Sequence, residues 1–275
     1  MGRFEVPRVE GSYFDAKGVR IHYTDEGRGP PVVLLHGFAV NADLNWRWPG
    51  IIRRLRREFR VLAMDLRGHG RSDKPRARES YGVAMATDVL HLLDALELGR
   101  AHVVGYSLGG FVALKLATLA SERLSSLGVL GAGWERPDRS VLAGALERFA
   151  DEVESTGSVS PLSGGLGGGR RPSLRHTLWV RMATRFLNDG AVLASVIRSV
   201  PELAVTESAL RELDLPICSI VGERDPLLES ARALHARVHG ATHIVVRRAD
   251  HVQAPLRREL ARGLAEFLRK ASANP

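Results

Sequence analysis

Residues 105–110 read Gly105-Tyr106-Ser107-Leu108-Gly109-Gly110, set between an apolar run, Ala101-His102-Val103-Val104, and a helix-like run, Phe111-Val112-Ala113-Leu114-Lys115-Leu116. A serine at the corner between a strand end and a helix start must take a strained backbone conformation. Only small flanking residues let strand and helix come that close, and Gly105 and Gly109 supply the room. A helix opening after Ser107 also aims unpaired backbone N–H groups and the positive end of its dipole at any anion forming there. Ser107 is therefore the candidate nucleophile, and the strand before and helix after it separate this G-x-S-x-G from a chance match.

Working outward, short apolar, β-branched runs alternate with longer helical patterns, the rhythm of a mostly parallel sheet with helices on both faces. Residues 13–15 and 19–24, joined by Lys17-Gly18, predict an opening hairpin. Strands follow at 32–35, 61–64, 102–106, 124–130, 217–221 and 243–246, eight in all, with helices near 46–57, 81–96, 108–120, 227–238 and 255–270. The rhythm breaks from Trp134 to about Thr206, where helical patterns at 141–154, 174–187 and 191–199 occur with no strand between them. The division expected is a core of residues 1–133 and 206–275 with a helical lid at 134–205. An insertion at that point sits over the carboxyl ends of the strands, where open α/β sheets bind ligands. Its middle, Ser163-Gly164-Gly165-Leu166-Gly167-Gly168-Gly169, has the composition of a flexible loop.

A serine hydroxyl is a weak nucleophile at neutral pH. It needs a histidine base, and that imidazole needs an orienting carboxylate. Asp225, in Gly222-Glu223-Arg224-Asp225-Pro226, and His251, in Ala249-Asp250-His251-Val252, each follow a strand and so share the rim of a parallel sheet with Ser107. Glu223 and Asp214 lie near the same strand, but Asp214 precedes it and falls at the wrong edge. Asp250 reads as a loop cap, and Glu135 or Asp138 is a lesser alternative for the orienting role. Leu34-Leu35-His36-Gly37-Phe38 ends another strand, and the backbone N–H groups of Phe38 and Leu108 are the expected oxyanion donors. His36 reads as a brace for its loop, and Asp65 and Arg67, in the turn Asp65-Leu66-Arg67-Gly68-His69-Gly70-Arg71-Ser72, as closures of theirs. His235, His239 and His243 read as structural or solvent-facing.

Composition narrows the function classes. Of the residues, 44% are hydrophobic and 25% charged, the profile of a soluble globular protein. The start of the chain lacks the apolar core of a secretory signal, so a cytoplasmic location is expected, and no run reaches membrane-spanning length. The single Cys218 sits in an apolar run as core filler and leaves no cysteine-based metal site. The net charge of +8 is spread along the chain. Its densest cluster, Arg53, Arg54, Arg56 and Arg57, lies on a helix whose apolar positions Ile51, Ile52, Leu55 and Phe59 face inward, a solvated face rather than a nucleic-acid site.

Together, the stretches 34–38, 65–72, 105–110, 222–226 and 249–252 resemble, in order and spacing, the landmarks of the α/β-hydrolase superfamily of the lid-bearing kind. The resemblance implies the α/β-hydrolase fold and a Ser107, His251, Asp225 triad, with neither cofactor nor metal. Epoxide hydrolases and haloalkane dehalogenases of this fold carry Asp where this chain has Ser107, and Gly37-Phe38 departs from the triple-glycine loop of bulky-ester lipases. The function expected is a serine hydrolase acting on carboxylic esters of uncharged, mainly apolar character, as monomer or homodimer, with a small-molecule ester as partner and no nucleic acid or membrane. A carbon-carbon bond hydrolase or lactonase with the same triad, a cofactor-free perhydrolase or haloperoxidase, and a slowly turning-over signal receptor are the alternatives. Trp134, Tyr106, Trp179 and Val252 are the residues expected around the substrate, with Leu178, Met182, Phe186, Val192, Val196 and Ile197 as apolar faces of the lid.

Overall fold

At Lys17 and Gly18 the backbone takes φ values of 55° and 85°, the left-handed pair that a two-residue hairpin turn needs to match strand twist. The turn folds β1 (Ser12–Asp15) antiparallel onto β2 (Arg20–Glu26). This computed structural model describes residues 10–135, 142–157, 159 and 189–273. In it β1 and β2 form one edge of an eight-stranded sheet of order β1-β2-β4-β3-β5-β6-β7-β8. The later strands are β3 (Pro31–Leu35), β4 (Arg60–Met64), β5 (Ala101–Tyr106), β6 (Leu124–Leu130), β7 (Ile217–Gly222) and β8 (Thr242–Val246). From β4 across to β8 every pairing is parallel.

All six residues of β5 are buried, as a central strand covered on both faces requires. Alternation along it divides the core in two. Val103 enters a cluster with α2 (Val83–Ala95) and α3 (Leu108–Leu119), whereas Val104 and Tyr106 join α1 (Ile51–Leu55) and α8 (Arg258–Ala273) on the other face. The chain winds outward in one direction from β3 and in the other from β5, so the crevice between their carboxyl ends is the topological switch point where such sheets hold ligands.

Between β6 and β7 the described residues contain no strand. They form α4 (Leu142–Thr156) and α5 (Gly190–Ser199), which pack on each other through Ala150, Val153, Leu193, Ala194 and Ile197. The short α6 (Glu207–Arg211) leads into β7, and α7 (Leu228–His235) links β7 to β8. The helix expected at 174–187 and the glycine stretch at 163–169 lie outside the described residues. The helix expected at 46–57 is broken into a wide helical turn, Asp43–Arg47, and α1, because Pro49-Gly50 intervenes and Gly50 takes φ 81°.

Two contacts fix the loops above the sheet. Arg67, after β4, donates through Nε to Asp88 of α2 at 2.7 Å and through Nη1 to the Ser80 carbonyl at 2.6 Å. Its side chain and that of Asp88 are 7% and 0% exposed, so neither charge has water to fall back on. At the elbow, β5 and α3 touch backbone to backbone. A Cβ on Gly105 would lie 1.9 Å from the Gly109 carbonyl oxygen, and one on Gly109 would lie 2.3 Å from the Leu35 carbonyl oxygen. Neither oxygen belongs to a movable side chain. Gly105→Ala is therefore expected to destabilise the fold by about 3 kcal/mol, the upper end for overpacking a core. Urea unfolding would read this as a lower midpoint, and an unchanged midpoint would contradict the close packing.

Candidate active site

The elbow makes its serine unusual before any partner arrives. Ser107 has φ 53° and ψ −115°, a conformation that costs a non-glycine residue about 1–3 kcal/mol. It is fastened by its N–H donating to the Leu130 carbonyl at 2.8 Å and by its carbonyl accepting from Gly110 and Phe111 at 2.8 and 3.1 Å. Its hydroxyl thereby stands at the start of α3, above the switch point.

Asp225 and His251 reach it from β7 and β8. His251 Nε2 lies 2.9 Å from Ser107 Oγ, and its Nδ1 lies 2.8 Å from Asp225 Oδ2. The other carboxylate oxygen of Asp225 accepts the Leu227 N–H at 2.9 Å, and the aspartate side chain is 0% exposed. With Nδ1–H held by the carboxylate, Nε2 is left as the acceptor facing the hydroxyl. The competing carboxylates are engaged elsewhere. Glu223 accepts from the Arg248 N–H, Glu135 from Ser230, and Asp250 from the N–H groups of Val252 and Gln253, as a loop cap should. Asp214 is exposed at the other edge, and Asp138 lies outside the described residues.

The loop after β3 supplies the other wall. Among the described residues the N–H groups of Phe38 and Leu108 donate to no other group, which leaves both available to an oxyanion. Three side chains set the loop. His36 donates from Nδ1 to the Gly37 carbonyl at 2.7 Å and accepts the Leu66 N–H at Nε2, 3.0 Å away. This is the bracing role expected of it, and the two bonds define one neutral tautomer. Asn45 accepts the Gly37 N–H at 2.9 Å. Phe38 turns its ring outward, edge to face with His69 on the core side and with Phe149 of α4 on the other, at centroid distances of 5.9 and 6.0 Å.

Below this loop Asp65 is a hub. It accepts from His22 Nδ1, the Arg71 N–H and the Ala42 N–H at 3.0, 3.0 and 2.9 Å. Burial alone raises its pKa, but the His22 bond and those N–H groups outweigh it and bring the carboxyl down to about 2. Arg67 pairs with Asp88 rather than closing on Asp65. Burial keeps His36 neutral by lowering its pKa, and burial beside His36 takes His69 down to about 3.

Of the residues expected around the substrate, two are placed differently. Trp134 is 4% exposed, donates from Nε1 to the Val205 carbonyl at 2.8 Å and carries Arg237 over its ring at 4.1 Å. It clasps the two ends of the segment between β6 and β7 instead of offering a face to the crevice. Tyr106 alternates away from Ser107, and its hydroxyl is spent on the His251 carbonyl. Val252, beside the imidazole, is 47% exposed at the rim. Trp179, with Leu178, Met182 and Phe186, lies outside the described residues. Val192, Val196 and Ile197 are core contacts of α5. Asn45 and Phe149 escaped sequence reading because neither belongs to a motif. Only the helical spacing of Leu146, Phe149 and Val153 hinted at an inward face. Cys218 is the inert filler expected, with its thiol pushed by burial up to about 12.

A mostly parallel eight-stranded sheet with serine, acid and histidine after β5, β7 and β8 is the α/β-hydrolase fold, and the chain has that fold. The model of the α/β-hydrolase fold family matches residues 30–159. An uncharacterized protein of Mycobacterium tuberculosis is 37% identical over 125 residues, 46% of this chain and 36% of that protein. The 2-hydroxy-6-oxo-6-(2'-aminophenyl)hexa-2,4-dienoic acid hydrolase of Metapseudomonas resinovorans is 32% identical over 123 residues, 43% of this chain. The chain thus spans 36% and 41% of the lengths of these two relatives. Among solved structures, a hydrolase from Pseudomonas aeruginosa superimposes with a TM-score of 0.78 at 26% identity, covering 95% of this chain and 98% of that one.

The buried imidazoles make the fold acid-sensitive. His69 and His102, 0% and 2% exposed, have pKa values lowered by burial from 6.5 to about 3 and about 4. Both folded values lie below the unfolded one, so stability is full above pH 6.5 and falls on acidification as the unfolded chain takes protons the folded chain refuses. At pH 5 each histidine is expected to cost about 2 kcal/mol. Urea midpoints at pH 7 and 5 measure the sum, to which the buried His36 adds in the same direction; His69→Asn should narrow the gap by about 2 kcal/mol, and equal midpoints would exclude the effect.

Proposed function

We propose that the chain is a serine hydrolase acting on carboxylic esters of uncharged, mainly apolar substrates through an acyl-enzyme. The observation carrying this reading is the hydrogen-bonded line from Ser107 Oγ through His251 to the buried Asp225, beside two N–H groups that no other described residue occupies. His251 takes the hydroxyl proton as Ser107 attacks the carbonyl carbon. Asp225 stabilises the imidazolium, and the Phe38 and Leu108 N–H groups hold the oxygen that becomes an oxyanion. The imidazolium returns its proton to the departing alcohol, then activates a water that releases the acid. The helices between β6 and β7 serve as the lid in this reading, with Phe38 and Phe149 meeting where the acyl chain would enter.

The surroundings support the choice of substrate. His36 and His69 are held neutral by burial. Phe38 packs with Ala39, Leu193 and Ile197 in the apolar cluster under α4 and α5. Such a wall favours uncharged acyl groups over phosphates or peptides. Hydrolysis of a carbon-carbon bond by the same three residues is the second reading, favoured by the likeness to the dienoic acid hydrolase.

The test is release from p-nitrophenyl esters of increasing chain length, alongside Ser107→Ala and a ring-fission dienoate. Multiple turnover with a chain-length optimum, reduced in Ser107→Ala by a factor on the order of 10⁴ to 10⁶, is the expected result. Turnover of the dienoate with inert esters would establish the second reading, and ester turnover that survives Ser107→Ala would end both.

A further inference from the structure

The histidine has a long way to come. β8 lies three strand positions from β5, with β6 and β7 between, so at about 4.8 Å per strand the loop after β8 reaches back roughly 14 Å to bring His251 to Ser107. That loop is tied near its base by the Arg224 N–H to the Ala249 carbonyl and capped by Asp250. At its far point a single side chain from the nucleophile's own strand meets it. The Tyr106 hydroxyl donates to the backbone carbonyl of His251, and its ring lies against the imidazole at 5.3 Å.

We infer that Tyr106 is a positioning residue for the general base: a strut from the elbow to the carbonyl of His251 that keeps Nε2 at bonding distance from Ser107. The assignment deepens the serine-hydrolase reading and rests on it. Three observations fit a strut better than a filler. First, the ring is packed in place, with Trp46 edge-on at 6.4 Å and Gly131 opposite. Gly131 takes φ 53°, and a Cβ there would come within 2.7 Å of Tyr106 Cζ, so the chain leaves that position bare for the ring. Second, Tyr106 adjoins Ser107 in the chain, so displacement of one is felt by the other, and the bond links nucleophile and base by a route independent of the line through the side chains. Third, the phenol stays a donor. Burial, then the charges of Asp225 and Asp250, push its pKa well above the ordinary tyrosine value.

Loss of the hydroxyl leaves the buried His251 carbonyl with no partner among the described residues and the loop free to shift. Small misplacements of a catalytic group cost rate rather than binding. Tyr106→Phe keeps the ring and removes only the bond. Gly131→Ala keeps the hydroxyl and pushes the ring. Both are compared with wild type in the second-order rate of labelling by a fluorophosphonate, which reports how well the base activates Ser107 whatever the natural substrate, and in kcat and KM for p-nitrophenyl butyrate. Urea midpoints confirm that each variant is folded.

For Tyr106→Phe we expect labelling and kcat to fall together by a factor on the order of 10 to 10² with KM within about twofold, as for a shifted base. Gly131→Ala should reproduce the direction. Labelling of folded Tyr106→Phe within about twofold of wild type, or a loss confined to KM, overturns the strut. Wild type that fails to label at all overturns the serine-hydrolase reading and the strut with it. Wild type that labels but leaves the ester untouched refutes the ester substrate alone, and the labelling rates still decide on Tyr106.

Discussion

Everything at the site depends on how closely β5 and α3 approach each other. With no Cβ at Gly105 or Gly109, the strand carbonyls and the first turn of the helix are in backbone contact, and the residue between them has no relaxed conformation open to it. Ser107 accepts φ 53° because the surrounding backbone leaves nothing else. Its hydroxyl is consequently held out from the sheet instead of folding back as an ordinary N-cap, and no side-chain cap bond forms. The turn leaves the Leu108 N–H at the helix start, with no acceptor among the described residues, next in the chain to the residue that carries the hydroxyl. One steric constraint thus sets the Ser107 hydroxyl and the Leu108 N–H side by side in the chain.

The opposite wall is held by balanced polar contacts. Asp65 collects donors from β2, the turn after β3 and the turn after β4, which locks the floor on which His36 stands. His36 and Asn45 then fix the Gly37 peptide from its two sides, carbonyl and N–H. With the Gly37 N–H taken, the next one, on Phe38, is the group left to face an oxyanion. The Phe38 ring extends from that donor into the cluster of α4 and α5, and Ala39, next in the chain, takes φ 58° to make the exit. Backbone donor and apolar wall are therefore parts of one residue, and packing among the inserted helices bears on the loop that holds it.

Much of this was legible in the sequence because it is local. The elbow, the hairpin turn, the strand runs and the placement of Asp225 and His251 after strands are set by neighbours a few residues apart, where glycine freedom and alternation leave a direct trace. Asp250 as a cap follows the same logic. What could not be read is what depends on contacts across long stretches of chain. Tyr106 looked like a pocket wall because it adjoins Ser107, yet strand alternation sends it to the other face, where it meets a residue 145 positions away. Trp134 looked like a gate because it stands where sheet gives way to helices. Its indole N–H found the Val205 carbonyl, 71 residues on. Arg67 reads as closing its own turn, but its guanidinium pairs with the buried carboxylate of Asp88 on α2. In each case the side chain type was informative and the partner was not, since a donor's identity says nothing about which distant acceptor the fold delivers.

The distribution of charge bears on what such a site can hold. The chain carries a formal +8, yet the arginines of the α1 segment, Arg53, Arg54, Arg56 and Arg57, are exposed, and the buried cation of the rim, Arg67, is consumed by Asp88. The described ionisable groups around Ser107 and the Phe38 loop include His36 and His69, both held neutral by burial, and the His251 and Asp225 pair. Turnover of an ester creates one negative charge, on the oxyanion, and one positive charge, on the imidazolium, a few ångströms apart. In the proposed reading, the two N–H dipoles of Phe38 and Leu108 would serve the first and the buried carboxylate of Asp225 the second. A substrate that brought a permanent charge to the Phe38 wall would have to leave water without compensation from the described residues, at a cost of several kcal/mol. An uncharged acyl group, as the proposed reading has it, meets no such barrier, and the charge left for the described residues to stabilise is the charge that the reaction itself would develop.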